Sequence, residues 1–202
     1  NFELKKGDKI FIKGSSGTGK STFLDILSGL NNDYSGKILI NGKSNNKNEI
    51  SKHLKSKIGY ISQPSYLMSG TVKNNIALSD EEYDEKIDDK KLENAIKISG
   101  LDIELKKFEK DLETHLYYPM QNISEGQKQR IFIARSIYFD RNIILLDEAT
   151  SGLDKKSEQN ILELLLSKKN LTIILVSHHI HNTKGFSKIY EISEKKLKEI
   201  SI

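Results

Sequence analysis

Gly14-Ser15-Ser16-Gly17-Thr18-Gly19-Lys20-Ser21-Thr22 is the stretch on which the reading of this chain turns. A short apolar run, Ile10-Phe11-Ile12, precedes it, and an amphipathic one, Phe23-Leu24-Asp25-Ile26-Leu27, comes after it. The order is therefore strand, glycine loop, helix, with the spacing G-x-x-x-x-G-K-[ST]. Glycines allow positive φ and close backbone approach, so successive N–H groups can curl round an anion. The helix that starts where the loop ends turns its unpaired N–H groups and its dipole toward the same anion. Lys20 places a mobile cation at outer phosphates, and Ser21 offers a hydroxyl oxygen of the kind Mg²⁺ takes. The bland alternative is a Gly/Ser-rich turn with a chance lysine, and the full spacing in its strand–loop–helix setting argues against it. Alone, the loop says only that a nucleoside triphosphate binds.

The rest of the composition sets limits. The chain has 202 residues, enough for one domain with a core of its own. No apolar run approaches the ~18 residues that span a bilayer. There is no signal-peptide pattern. Without cysteine, disulfides and thiolate metal sites are excluded. The net charge of +4 is spread along the chain, which reads as an ordinary solvated surface rather than a nucleic-acid footprint. The chain opens on Asn1 in a strand-like segment, residues 1–4, and the expectation is a piece of a longer polypeptide.

Along the chain, residues 9–13 read as a strand and 20–30 as a helix ended by Gly29. Residues 36–42 read as a strand closed by a tight Asn41-Gly42 turn, with a short helix around 50–55. Ile58-Gly59-Tyr60-Ile61 is a strand that runs into Ser62-Gln63-Pro64, where proline ends pairing. Gly70-Thr71-Val72 opens a short helix. Residues 79–91 are densely charged and read as a solvated connector. Helical patterning continues through Leu92, Ala95, Ile96, Leu101, Leu105, Phe108 and Leu112, and Ser124 is placed to cap a helix to about residue 139. Residues 143–146 and 171–176 are continuous apolar runs, as in parallel strands covered on both faces. A helix at 155–168 turns Ile161, Leu162, Leu165 and Leu166 inward, and residues 188–192 and 196–200 read as a closing hairpin of edge strands. The predicted fold is α/β: a P-loop NTPase core with a parallel sheet (residues 1–70 and 140–202), an inserted helical subdomain at about 70–140, and a small antiparallel β region.

Residues 142–148, Asn-Ile-Ile-Leu-Leu-Asp-Glu, form an apolar strand ending in two carboxylates. In an open parallel sheet, ligands sit at the carboxyl ends of strands. Asp147 therefore reaches the phosphates and can bind Mg²⁺ directly or through water. Glu148 suits a different task, polarising a water for in-line attack.

With these two motifs in place, the chain resembles the ATP-binding domain of an ABC transporter, over almost its whole length. Four further segments match that family's order and spacing. Gln63 after its strand resembles the Q-loop, which implies a role at Mg²⁺ or the attacking water and in reporting nucleotide state to a membrane domain. Ile123-Ser124-Glu125-Gly126-Gln127 resembles the signature sequence. Ser151-Gly152-Leu153-Asp154 resembles the D-loop. His178, after Val176-Ser177, resembles the switch histidine that assists at the terminal phosphate. His179 and His181 are expected to be exposed, since His-His-x-His without cysteine or carboxylate is a weak metal pattern. By the resemblance, Ser124, Gly126 and Gln127 contact ATP bound at the loop of a second copy, and two ATP molecules sit between two such domains. The signature has a physical basis as well, because Ser124 lies at a helix N-terminus. Glycine loop and signature are two phosphate-facing surfaces, and a twofold dimer lets each meet the partner's other surface.

The stretch from Tyr60 to Ile76, with its Gly70-Thr71-Val72, is similar to the exporter branch, and Tyr66, Leu67 and Met68 are expected to form an exposed docking patch for a membrane domain. A small local core beneath the loop is the alternative. Three features depart from the family pattern. The aromatic residue that stacks on adenine is unassigned, since Phe2 lies too near the loop. Glu125 stands where glycine is usual; a carboxylate about 4 Å from ATP costs on the order of 4 kcal/mol at intermediate dielectric, so its side chain is expected to turn away, or else the signature belongs to a degenerate site of a heterodimer. The usual Gly-Glu before the signature is replaced by Tyr117-Tyr118-Pro119-Met120-Gln121.

The reading is an ATPase that dimerises on ATP and drives export across a membrane, at the cytoplasmic face. Its cofactors are ATP and Mg²⁺. Its partners are a second nucleotide-binding domain and a transmembrane domain, with no nucleic acid and with peptide slightly favoured as cargo. The alternatives are the head of a DNA-repair or chromosome-maintenance ATPase, which needs long heptads not found between residues 22 and 124, and a soluble regulatory ABC ATPase.

Overall fold

The computed structural model describes residues 1–63, 65–79, 86–117, 122–150, 152–178 and 183–200. In chain order the elements are β1 (Lys9–Lys13), α1 (Lys20–Ser28), the short strands β2 (Leu39–Ile40) and β3 (Lys43–Ser44), α2 (Lys47–Lys57) and β4 (Ile58–Ser62). Then come β5 (Gly70–Thr71), α3 (Val72–Ala77), α4 (Asp89–Ser99), α5 (Leu101–Leu105), a 3₁₀ turn at Asp111–Glu113 and β6 (His115–Leu116). The chain ends with α6 (Glu125–Tyr138), β7 (Ile143–Asp147), α7 (Lys155–Ser167), β8 (Thr172–Val176), β9 (Lys188–Ser193) and β10 (Lys196–Ile200).

Six strands form one sheet in the order β10-β9-β1-β8-β7-β4. All neighbours are parallel except the pair β9–β10. Side chains alternate between the faces of a strand, so each apolar strand feeds two cores. Ile10, Ile12, Leu145, Ile174 and Val176 pack on one face with Leu24 of α1. Phe11, Ile144, Leu146, Ile173 and Leu175 pack on the other with Ile131 and Ile133 of α6, Ala95 of α4 and Leu165 of α7. All five residues of β8 are buried, as a central parallel strand requires. The mixed α/β architecture with a mainly parallel sheet and small antiparallel pairs is the predicted one.

Several local expectations are corrected. Residues 1–4 form no strand, because β1 already has β8 and β9 on its two sides. Phe2 instead sets its ring edge-on to Phe23 and Tyr190, 5.2 and 5.4 Å away. The expected strand at 36–42 shrinks to Leu39–Ile40, which pairs only with Lys43–Ser44. Asn41 and Gly42 both take positive φ, 52° and 75°, the backbone of a two-residue hairpin turn. The short helix around 50–55 extends over Lys47–Lys57 because Asn46 caps it, accepting from Glu49 N–H at 2.9 Å. The charged connector ends earlier than expected, with α4 starting at Asp89 under an Asp88 cap. Of the closing hairpin only β10 is an edge, since β9 lies inside the sheet against β1. Leu166 is only partly buried at the margin of the core. Pro64 and residues 80–85 lie outside the described residues.

Candidate active site

The register brings the strand ends together. Ile12 pairs with Val176, Val176 with Asp147, and Asp147 with Ser62, so one row crosses β1, β8, β7 and β4. The segments that continue from these strands all leave the sheet at the same edge: the loop from Gly14, then His178, Glu148 and Gln63. These residues are far apart in sequence and meet only because the strands are adjacent.

The glycine loop has the backbone its composition foretold. Gly19 sits at φ 98° and precedes α1 without any side-chain cap, so the first N–H groups of that helix stay open to a ligand. Gly14 passes so close to β9 that a Cβ would lie 2.6 Å from the Ile192 carbonyl oxygen. Thr18 Oγ1 and Lys20 Nζ donate to the Ser15 carbonyl, at 2.9 and 2.8 Å. The lysine side chain is 6% exposed, and its Nζ lies 3.4 Å from His178 Nε2 and 3.9 Å from Glu148 Oε1. His178 Nε2 and Glu148 Oε1 are 2.7 Å apart. Thus a cation, a carboxylate and an imidazole meet at the loop. Glu148 holds a left-handed backbone, φ 51°, a conformation that costs on the order of 1 kcal/mol or more; its N–H donates to Val176 O at 2.9 Å. Such strain gathers at functional sites.

Asp147 is 7% exposed. Its Oδ2 accepts from the Tyr60 hydroxyl at 3.0 Å, while its Oδ1 is buried and has no hydrogen-bond partner among the described residues. Leaving a buried acceptor unpaired is costly, and an oxygen ligand for a hard cation has that character. Ser21, exposed in the first turn of α1, adds a second oxygen, so these residues fit Mg²⁺. Burial, and next the Asp147 carboxylate, push the Tyr60 hydroxyl well above its usual range, with Asp25 of α1 adding to it. Tyr60 is therefore a donor at this site. Gln63 is exposed after β4 and lies along the segment beyond Glu148, with Nε2 3.5 Å from Ala149 O.

The signature stretch is also a helix start, but a closed one. Ser124 Oγ accepts from Gln127 N–H at 3.2 Å, and Gln127 Oε1 accepts from Ser124 N–H at 2.9 Å. This is a capping box, in which Ser124 accepts and keeps its own hydroxyl proton. Gly126 lies beside Leu153, with 3.9 Å between a Cβ built there and Leu153 Cδ2. Glu125 is exposed and pairs with Lys128 at 2.6 Å. Asp154 caps α7, accepting from the N–H groups of Lys156 and Ser157, both at 3.1 Å. Ser151, Tyr118-Pro119-Met120-Gln121, His179 and His181 lie outside the described residues.

The docking patch needs one correction. Tyr66 and Met68 are exposed, at 77% and 44%, but Leu67 packs against the main core. The exposed apolar surface includes Leu78 and Phe139, which line a groove of about 220 Å³ with Arg135 and Arg141. Asn75 is fully buried and fastens the loop: its Nδ2 donates to Met68 O and Thr71 O, and its Oδ1 accepts from Met68 N–H. Arg135 Nε donates to Asn75 O at 2.8 Å, and burial pulls the guanidinium down to about 10. Tyr60, Asn75 and Arg135 were not singled out from the sequence. Tyr60 carries a polar tip on a buried strand, but the group it serves depends on which strand lies alongside.

The glycine loop, the paired carboxylates at a strand end and the helix-capped signature define a class of nucleotide-binding domain, and the comparisons place the chain within it. The model of the ABC transporter family matches residues 1–151, and the chain belongs to this family, as its ATP-binding domain. A probable multidrug resistance ABC transporter ATP-binding/permease protein of Bacillus subtilis is 30% identical over 98% of this chain and 29% of its own length. An aliphatic sulfonates import ATP-binding protein of Bacillus cereus is 36% identical over 98% of this chain and 77% of its own. Among solved structures, a bacterial Atm1-family ABC exporter with ATP bound superposes with a TM-score of 0.81 at 27% identity, over 97% of this chain and 34% of that one. The chain thus spans about a third or less of the first curated relatives it matches, 27–31% for the leading ones. No helix among the described residues is long and apolar enough to cross a membrane.

Proposed function

We propose that this domain hydrolyses ATP to drive export of a substrate, working as a dimer with two ATP molecules in its interface. The observation that carries the hydrolytic reading is the meeting of Lys20, Glu148 and His178 at the loop, with His178 2.7 Å from Glu148. Residues 14–22 cradle the phosphates through backbone N–H groups. Lys20 exchanges its contacts with Glu148 and His178 for the terminal phosphate. Glu148 takes the proton of the attacking water, and His178 donates to the transferring phosphoryl group; stabilising that charge is the largest catalytic term. Ser21, Asp147 and Gln63 are the residues that would hold Mg²⁺, which would supply charge neutralisation on the phosphate oxygens. Replacing Glu148 by Gln is expected to keep ATP binding and reduce turnover by about 10²–10⁴. Turnover at the wild-type rate removes the base assignment.

Ser124, Gly126 and Gln127 serve the partner's ATP, and the exposed Ser124 hydroxyl, whose oxygen accepts within the cap, supports this. Residues of about 70–140 act as the signature subdomain between the two parts of the core at 1–70 and 140–202; the mutual packing of α3, α4, α5 and α6 favours this division. The groove edged by Leu78 and Phe139 receives a transmembrane partner at the cytoplasmic face of a membrane. Sedimentation of the Glu148→Gln chain with and without ATP tests the dimer, and a monomer under both conditions sinks it. The sulfonate-import relative, covered over most of its length, favours a second reading, an importer's ATP-binding subunit. Transport by inside-out vesicles bearing the full-length protein separates the two: ATP-driven uptake into them is export.

A further inference from the structure

Tyr60 and Asp147 come from segments 87 positions apart. β4 and β7 run parallel, with Tyr60 opposite Leu145 and Ser62 opposite Asp147. Leu145 and Asp147 are two residues apart, so they share a face of the sheet, and Tyr60 packs among the side chains of that face. Its phenol therefore reaches along the sheet to the next carboxylate. The hydroxyl binds Oδ2 at 3.0 Å. The other oxygen, Oδ1, is left buried and unpaired among the described residues. A carboxylate on a free rotor presents either oxygen; here one is tied by Tyr60 and the other is left without a partner among the described residues. Mg²⁺ demands near-ideal octahedral geometry, and groups that orient a metal's ligands change metal affinity by roughly 10–100-fold.

We propose that Tyr60 is a positioning residue for the metal site, locking the Asp147 carboxylate by Oδ2 so that Oδ1 faces the cation. This rests on the reading of Asp147 as a metal-binding residue. The variant Tyr60→Phe removes one hydroxyl and keeps the packed ring. The measurement is Mn²⁺ affinity of the full chain, by electron paramagnetic resonance titration at saturating adenylyl imidodiphosphate, beside nucleotide affinity in EDTA. Tyr60→Phe is expected to weaken Mn²⁺ binding about tenfold and leave nucleotide affinity in EDTA unchanged. Wild-type Mn²⁺ affinity in Tyr60→Phe, with a loss in Asp147→Asn, overturns the role of Tyr60 and leaves Asp147 standing. Wild-type affinity in Asp147→Asn as well overturns the metal reading of Asp147 and the role of Tyr60 together. A parallel loss of metal and EDTA nucleotide affinity in Tyr60→Phe marks a general disturbance of the site, and also overturns it.

Discussion

The starts of α1 and α6 answer the same physical problem in opposite ways. Each helix begins with N–H groups that lack an intrahelical partner. At α1 the preceding residue is Gly19, which offers no side chain to cap the helix, and Lys20 is the helix's first residue. At α6 Ser124 and Gln127 satisfy each other's backbone in a complete capping box. The first helix start is open and has a cation, a carboxylate and an imidazole beside it. The second is already satisfied and pairs its own charge, Glu125 with Lys128. The difference teaches that the two helix starts are not equivalent: the first leaves its N–H groups open, and the second is built to hold its own shape.

The largest expected effect that sharpens this contrast is at Lys20. Lys20→Ala should weaken ATP binding to the isolated chain about a hundredfold, while Ser124→Ala should leave that affinity as it is, both read by equilibrium binding of a fluorescent ATP analogue. Equal losses would erase the distinction. Next comes Gly19→Ala, which forces a side chain into a φ of 98°. A left-handed backbone costs roughly 1–2 kcal/mol, so the nucleotide affinity should fall about tenfold if the loop keeps its shape only under strain. Ser124→Ala should lower stability to urea by about 1 kcal/mol through the lost cap, with Ser124→Asn close to wild type. A stability unchanged by alanine would mean that the cap is idle. The smallest effect is at Lys128. Lys128→Ala frees the Glu125 carboxylate and should lower ATPase activity about twofold, the scale of an exposed pair, with recovery in the Glu125→Gly, Lys128→Ala double variant. A large rise in activity from Glu125→Gly alone would instead favour a degenerate signature.

Where the sequence was legible, the reason is local. The glycine loop, the Ser124 cap, the apolar runs of β7 and β8 and the two carboxylates at the end of β7 are each encoded within a few residues. Where it was not, the missing information was a neighbour. Residues 36–42 have strand character, but only Leu39–Ile40 pairs, and it pairs locally with Lys43–Ser44. Residues 1–4 face a strand whose two sides are taken. Leu67 looks like its exposed neighbours and is drawn inward by the core beneath the loop.

Sequence alone determined the α/β class, the phosphate loop and the family, because motif spacing and periodicity are properties of short segments. Tertiary structure decided that β8 and β7 lie between β1 and β4. That order brings Lys20, Glu148 and His178 to one point and sets Tyr60 against Asp147. The physical reason is that β1, β7 and β8 are all buried along nearly their whole length. Each is equally suited to any interior place in the sheet, and only the packing of the connecting helices on the two faces selects which strands become neighbours.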